Sequence, residues 1–321
     1  MSFKIISEDG YSEFMEGTVL PYLAVRKSNG FFERNQDEPI YYECFEADKP
    51  RAVVVIVHGY SSCLPKFYET AYYFLQNGMS VRMIQQRGHG RSFRGVSDQT
   101  MIWIKNYKDL ILDLRYFMQH IVKPANREGL PLYLYCHSMG GAVGACYLEH
   151  YPSDFKKAVL SAPMMEMETG KLPLFAGYLL SGANIFLGRG KKPMPGSSAM
   201  LETPDFENSP TTSRARYEWY FEVQKAHPEY RMCVTPYRTA MQLLRLSQEA
   251  LRKDNIPLIR AEVLLFQAES DSFVKPGGQY RFIESVSRGN LIRVMGSKHE
   301  IYRCDEDILR KYWDDILNFL N

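Results

Sequence analysis

The sequence lacks features that would mark a membrane or secreted protein. It contains no run of about 18 consecutive apolar residues, the length that a membrane-spanning helix requires. Its first ten residues include Glu8 and Asp9 and hold no apolar stretch of the kind found in a signal peptide. We therefore expect a cytoplasmic protein without a transmembrane helix.

An excess of charge of one sign is also absent. The 39 basic and 37 acidic residues leave a formal net charge of +2. A surface that neutralises nucleic-acid phosphates would need a much stronger basic excess. Nucleic acid is therefore not an expected partner.

Motifs for metals and common cofactors are missing as well. The six cysteines form no CxxC or CxxxC pair, and the chain has no HExxH, P-loop or GxGxxG sequence. We expect free thiols and neither a metal nor an organic cofactor. The cysteines are Cys44, Cys63, Cys136, Cys146, Cys233 and Cys304.

Short apolar runs alternate with amphipathic stretches over most of the chain. This alternation is typical of strands that feed crossover helices into a mainly parallel sheet. The sequence therefore predicts an α/β fold in which helices flank the sheet. The predicted strands are 40–47, 52–57, 80–85, 130–136, 157–161, 262–268 and 290–295.

The alternation stops in one long internal stretch. From about residue 163 to 254 the sequence has Pro- and Gly-punctuated apolar segments followed by helical ones, with no strand pattern. We interpret residues 163–254 as an inserted, mostly helical cap. Residues 1–162 and 255–321 would then form the catalytic core.

One serine lies where a predicted strand runs into a helix of small residues. Ser138 follows the strand 130–136, and glycines and alanines fill the next turns. A serine on such a turn stands clear of the backbone, and the amide of Met139 is free to bind an oxyanion. The amide of Tyr60, after the strand 52–57, occupies the position of a second oxyanion donor. The alternative is that Ser138 only caps the helix.

A serine nucleophile needs a base and an acid, and the sequence offers both in the order serine, acid, histidine. His299 follows the last predicted strand and is the only histidine in the C-terminal quarter of the chain. Two carboxylates, Glu269 and Asp271, follow the strand 262–268. Glu300 is expected to brace the loop of the base.

Three motifs after successive strands make a family resemblance specific. His58-Gly-Tyr60, Arg87-Gly-His-Gly-Arg-Ser92 and His137-Ser-Met-Gly-Gly141 occur in that order. Together they resemble the monoacylglycerol lipase and lysophospholipase branch of the α/β-hydrolases, over nearly the whole chain. Cys136 replaces the first glycine of G-x-S-x-G, and it too is small.

This resemblance implies an α/β-hydrolase fold and an esterase acting on a small lipid or other acyl ester. It favours Asp271 over Glu269 as the acid, and thus a triad of Ser138, Asp271 and His299. We expect His58 and His89 to orient loops through hydrogen bonds rather than to act on substrate.

The cap offers clues to the substrate. Leu172, Phe175, Leu179 and Phe186 recur at helix-like spacing and could form an acyl-chain wall or a surface that contacts a membrane. The alternative is a cap helix that packs on the core. The stretch 208–217 is similar to the cap of bacterial lysophospholipases.

The sequence therefore favours a lysophospholipase. A monoacylglycerol lipase and a short-chain carboxylesterase are the alternative assignments, and a non-catalytic binding protein is a remote alternative. A proline iminopeptidase is disfavoured because His-Gly-Gly-Pro-Gly is replaced here by His58-Gly-Tyr-Ser-Ser62.

Overall fold

The computed structural model describes residues 4–170, 173–197 and 199–321. Eight strands form one sheet in the order β1-β2-β4-β3-β5-β6-β7-β8. The strands are β1 (Lys27–Glu33), β2 (Pro39–Phe45), β3 (Ala52–Val57), β4 (Met79–Ile84), β5 (Leu132–His137), β6 (Lys157–Ser161), β7 (Glu262–Ser270) and β8 (Gly289–Lys298). Adjacent strands in the run β4-β3-β5-β6-β7-β8 are parallel. At one edge of the sheet, β1 pairs with β2 and β2 pairs with β4 in the antiparallel direction.

Helices cover both faces of this sheet and fill the connections. They are α1 (Tyr11–Phe14), α2 (Leu20–Ala24), α3 (Tyr68–Gln76), α4 (Lys108–Phe117), α5 (Lys123–Ala125), α6 (Met139–His150), α7 (Leu174–Phe186), α8 (Arg214–Ala226), α9 (Tyr237–Glu249), α10 (Pro276–Ile283) and α11 (Glu306–Leu320). Met15–Val19 and Met118–Val122 are π-helical, and Leu64–Phe67, Pro228–Tyr230, Ile256–Leu258 and Ile301–Arg303 are short 3-10 helices.

The central strands are apolar because both faces of the sheet are covered. All six residues of β3 and all six of β5 are buried. A parallel strand packed between two helical layers needs a continuous apolar run rather than an alternating one, and AVVVIV supplies it. The predicted mainly parallel sheet flanked by helices is therefore confirmed.

The predicted cap region contains two helical parts that pack in different places. α7 lies against α9, with Gly177 facing Leu244 and Gly182 facing Met241. α8 instead packs beside the N-terminal segment, and the indole of Trp219 donates to Glu16 at 3.0 Å.

No helix in the described ranges is both long enough and apolar enough to span a bilayer.

Candidate active site

The turn between β5 and α6 holds Ser138 in a backbone conformation that only a rigid surrounding can maintain. Its φ of 53° and ψ of −120° lie where residues other than glycine are rarely found. The amide of Ser138 donates to Ser161 O at 3.1 Å, and its carbonyl accepts from Gly141 at 2.8 Å and from Met164 at 2.9 Å. These bonds fix the turn to β6 and the chain that follows it.

Close packing explains the small residues of α6. A Cβ atom added to Gly140 would lie 2.2 Å from the carbonyl oxygen of Val57, and one added to Gly144 would lie 2.5 Å from Cys136 Sγ. Both distances are far shorter than van der Waals contact. The glycines therefore let α6 lie directly on β3 and β5, which places Ser138 beside the loop after β3.

The structure brings Ser138, His299 and Asp271 into one hydrogen-bonded chain. Ser138 Oγ lies 2.9 Å from His299 Nε2, and His299 Nδ1 lies 2.7 Å from Asp271 Oδ2. With Nδ1–H donating to the carboxylate, Nε2 is free to accept the serine proton. Ser138 makes no capping bond to α6. The interpretation of Ser138 as a simple helix cap is therefore wrong.

Asp271 is oriented from behind by the backbone. Its Oδ1 accepts from the amides of Phe273 at 2.8 Å and Val274 at 3.0 Å, so that Oδ2 faces the imidazole. Glu269, the alternative acid, is engaged elsewhere. Its carboxylate accepts from the Gly296 amide at 2.7 Å and lies 3.3 Å from Arg293.

The two expected oxyanion donors flank the serine. Gly59 lies so close to the nucleophile that an added Cβ atom would be 3.0 Å from Ser138 Cβ, which places the turn of Tyr60 against the serine. Within the described ranges, the amides of Tyr60 and Met139 donate to no protein acceptor. The Tyr60 hydroxyl donates to Thr235 Oγ1 at 2.9 Å, which links this turn to the cap.

His58 and His89 hold the loops after β3 and β4 together, as expected from the sequence. His58 Nε2 accepts from the Gln86 amide at 2.9 Å, and His89 Nε2 accepts from the Ser61 amide at 3.3 Å. Burial lowers the pKa of His58 to about 4, and burial likewise lowers the pKa of His89. Both rings are therefore neutral acceptors at neutral pH.

The three predicted substrate contacts lie on the outer face of α7. Phe175, Leu179 and Phe186 are 65%, 68% and 91% exposed. The helix packs on α9 through its other face, so packing of the cap helix and exposure of these three side chains occur together. Leu172 lies outside the described residues.

The described residues contain no group of three or more His, Cys, Asp or Glu side chains that could hold a metal ion.

All the candidate groups converge at one end of the sheet. Ser138, Asp271 and His299 follow the carboxyl ends of β5, β7 and β8, and Tyr60 follows β3. This strand order with a strained serine after the fifth strand defines an α/β-hydrolase fold.

The comparisons with known proteins give the family. The chain belongs to the serine aminopeptidase S33 family (Hydrolase_4), which matches residues 48–306. Lysophospholipase L2 of Escherichia coli K12 is 26% identical over 94% of this chain and 89% of that protein. Monoacylglycerol lipase of Mycolicibacterium smegmatis is 24% identical over 88% of this chain and 92% of that protein.

Solved structures support the same fold. A monoglyceride lipase from Saccharomyces cerevisiae superposes with a TM-score of 0.72 at 17% identity, over 91% of this chain and 94% of that one. A thermostable carboxyl esterase from Bacillus coagulans gives 0.74 at 16% identity, over 92% and 98% of the two chains. At these identities the likeness establishes the architecture and not the substrate.

Proposed function

We propose that this protein is a serine hydrolase that cleaves carboxylic esters of lipids, with lysophospholipid as the preferred substrate. The observation that carries the proposal is the chain of hydrogen bonds from Ser138 through His299 to Asp271, beside two free amides. A nucleophile, an oriented base and oxyanion donors are the groups that acyl transfer requires.

The proposed reaction proceeds in two steps. His299 Nε2 takes the Ser138 proton as Oγ attacks the ester carbonyl, and the amides of Tyr60 and Met139 bind the oxyanion. His299 then protonates the leaving alcohol, and an acyl-enzyme forms. In the second step His299 activates water, which releases the fatty acid. Because side chains and amides fill every role, the proposed reaction needs neither a metal nor an organic cofactor.

The substrate class rests on the relatives and on the cap. The E. coli relative is named a lysophospholipase, the mycobacterial one a monoacylglycerol lipase, and both align over most of the chain. The stretch 208–217, which resembles the cap of bacterial lysophospholipases, favours the first. Monoacylglycerol lipase and short-chain carboxylesterase are the alternatives.

We expect fatty-acid release from lysophosphatidylcholine to exceed release from monoacylglycerol and from a short p-nitrophenyl ester. The three substrates should be compared side by side with wild type and Ser138→Ala. Hydrolysis of the short ester alone would contradict the lipid assignment. Activity that survives in Ser138→Ala would contradict the assigned nucleophile, and failure of a fluorophosphonate probe to label Ser138 would favour a non-catalytic role.

We also propose that the outer face of α7 contacts lipid aggregates. The Phe186 side chain is 91% exposed, and the exposed apolar groups of Leu179 and Phe175 lie about two and three helical turns away. Such a surface is unfavourable in water and favourable at a membrane interface.

We propose the cytoplasm as the compartment of this protein. All six cysteines are unpaired, and thiols stay reduced in the cytoplasm.

Replacing Phe175, Leu179 and Phe186 together by serine is expected to weaken binding to phosphatidylcholine vesicles about 10- to 100-fold, because each removed side chain loses apolar burial. Hydrolysis of substrate held in vesicles should fall about 10-fold more than hydrolysis of a soluble ester. Vesicle sedimentation and parallel assays measure both effects.

A matched control replaces three other exposed apolar residues, Val25, Phe31 and Leu258, by serine. An equal loss of vesicle binding in this control would show that α7 has no special part in membrane contact.

A further inference from the structure

The stretch that resembles the lysophospholipase cap docks on the loop of the catalytic base. We call residues 299–304 the base loop. The Glu300 amide donates to Pro210 O at 2.8 Å, and Thr211 Oγ1 donates to Arg303 O. Both Thr211 and Ser213 are fully buried. Among the hydroxyl residues of this stretch, Thr211 bonds to the base loop, whereas Thr212 donates to Asp305 just after it and Ser213 donates to Glu8.

A buried carboxylate lies at the centre of this contact. Glu300 accepts hydrogen bonds from Lys66 and, at 2.6 Å, from Arg303. Burial alone would raise the pKa of Glu300, but Lys66 and Arg303 outweigh it and hold the pKa at about 2. The carboxylate is therefore charged at neutral pH, and it is buried beside the two cations that pair with it.

The same cluster joins the base loop to the oxyanion turn. Lys66 lies in the 3-10 helix Leu64–Phe67, which follows Tyr60 by a few residues. The rings of Phe67 and Tyr302 stack at 4.6 Å, and the ring of His137 lies 4.9 Å from that of His299. The nucleophile, the oxyanion turn and the base therefore share one packed and ion-paired layer beneath the reacting atoms.

We propose that Glu300 is a positioning residue, which fixes the imidazole of His299 relative to Ser138 and the oxyanion amides. Glu300 and His299 are consecutive, so a shift of the buried carboxylate moves the backbone that carries the imidazole. A displacement of about 1 Å at a reacting group can cost about 100-fold in rate. Apolar residues could fill the same volume with equal stability, whereas paired charges fix one geometry.

The inference rests on the proposed catalytic roles of Ser138 and His299. Glu300→Gln tests it, because an amide nitrogen cannot accept from Arg303 and the side chain must move. We expect kcat for a p-nitrophenyl ester to fall about 10- to 100-fold per active site. KM should stay within about twofold, since no substrate contact changes. Active sites are counted by titration with a fluorophosphonate.

Counting active sites separates positioning from stability. A role in stability alone would reduce the number of titratable sites and leave kcat per site at the wild-type value, and that result would overturn the proposal. Asp113→Asn is the matched control, because Asp113 is equally buried and is paired with two cations, Arg34 and Arg87. It contacts no residue of the triad or the base loop. Its kcat per site should not change.

A milder variant covers the case in which Glu300→Gln fails to fold. Thr211→Val keeps the shape of the side chain and removes the hydrogen bond to Arg303 O, together with a long bond of 3.4 Å from the Ser213 amide. Its kcat per site should fall about 3- to 10-fold with KM unchanged, and a wild-type value would overturn the proposal. If the wild-type protein neither hydrolyses the ester nor reacts with the probe, the proposed function fails instead.

Discussion

Asp271→Asn is expected to lower kcat by about 10⁴-fold. The oxygen of the new amide would keep the bonds from Phe273 and Val274, so its NH₂ group would face His299 Nδ1. Nδ1 would then have to accept, and the imidazole proton would move to Nε2. In that tautomer His299 cannot take the proton of Ser138. Steady-state kinetics on a soluble ester measure the loss.

Glu269→Gln is the matched control, because this carboxylate leaves the same strand two residues earlier. It bonds to Gly296 and Arg293 rather than to the imidazole. We expect its kcat to stay within a few-fold of wild type. If Glu269→Gln were the inactive variant, or if Asp271→Asn kept a tenth of the activity, the acid would have been assigned wrongly.

The candidate site could be predicted from the sequence because it depends on chain order. In a parallel sheet the carboxyl ends of the strands meet at one edge, so residues that directly follow β5, β7 and β8 converge without any knowledge of loop shape. The continuous apolar run of β3 predicts a buried central strand. The small residues of α6 predict a helix that lies close to the sheet. The choice between Glu269 and Asp271 needed a resemblance, because both carboxylates lie within reach in sequence.

The edge of the sheet and α10 could not be predicted in the same way. β1 has one buried residue among seven, so it carries no apolar pattern, and it is held by backbone pairing with β2. α10 begins with Pro276, Gly277 and Gly278, and the two glycines are poor helix formers. Its register depends on packing of Gly278 against Glu166, a contact between residues more than a hundred positions apart.

The arrangement of the cap also depends on contacts that sequence patterns do not show. Arg216 is fully buried on α8 and pairs with Glu69 of α3 at 2.7 Å. Charged residues are usually assigned to the surface, so nothing in the sequence marks this pair as an anchor. Conversely, the apolar face of α7 would normally be assigned to the interior, yet it is the exposed one.

Glu149→Gln is expected to stabilise the protein at alkaline pH. Glu149 lies on α6 with only 2% of its surface exposed, near Glu249 of α9. Burial raises the pKa of Glu149 to about 8, and Glu249 adds to the rise. An ionised carboxylate in this place costs free energy, whereas a glutamine of the same shape stays neutral at every pH.

The sign of the pH dependence follows from the two protonation states. Below about pH 4 the carboxyl is protonated in the folded and the unfolded chain, so wild type and variant should be equally stable. As the pH rises towards 8, only the unfolded wild type releases the proton, and its stability falls. The difference should level off above about pH 9 at on the order of 5 kcal/mol. Urea unfolding from pH 5 to 9 measures it, and the exposed Glu222→Gln serves as control. Parallel curves for wild type and Glu149→Gln would mean that Glu149 is ionised or solvated in the folded protein, and that the contact between α6 and α9 tolerates its charge.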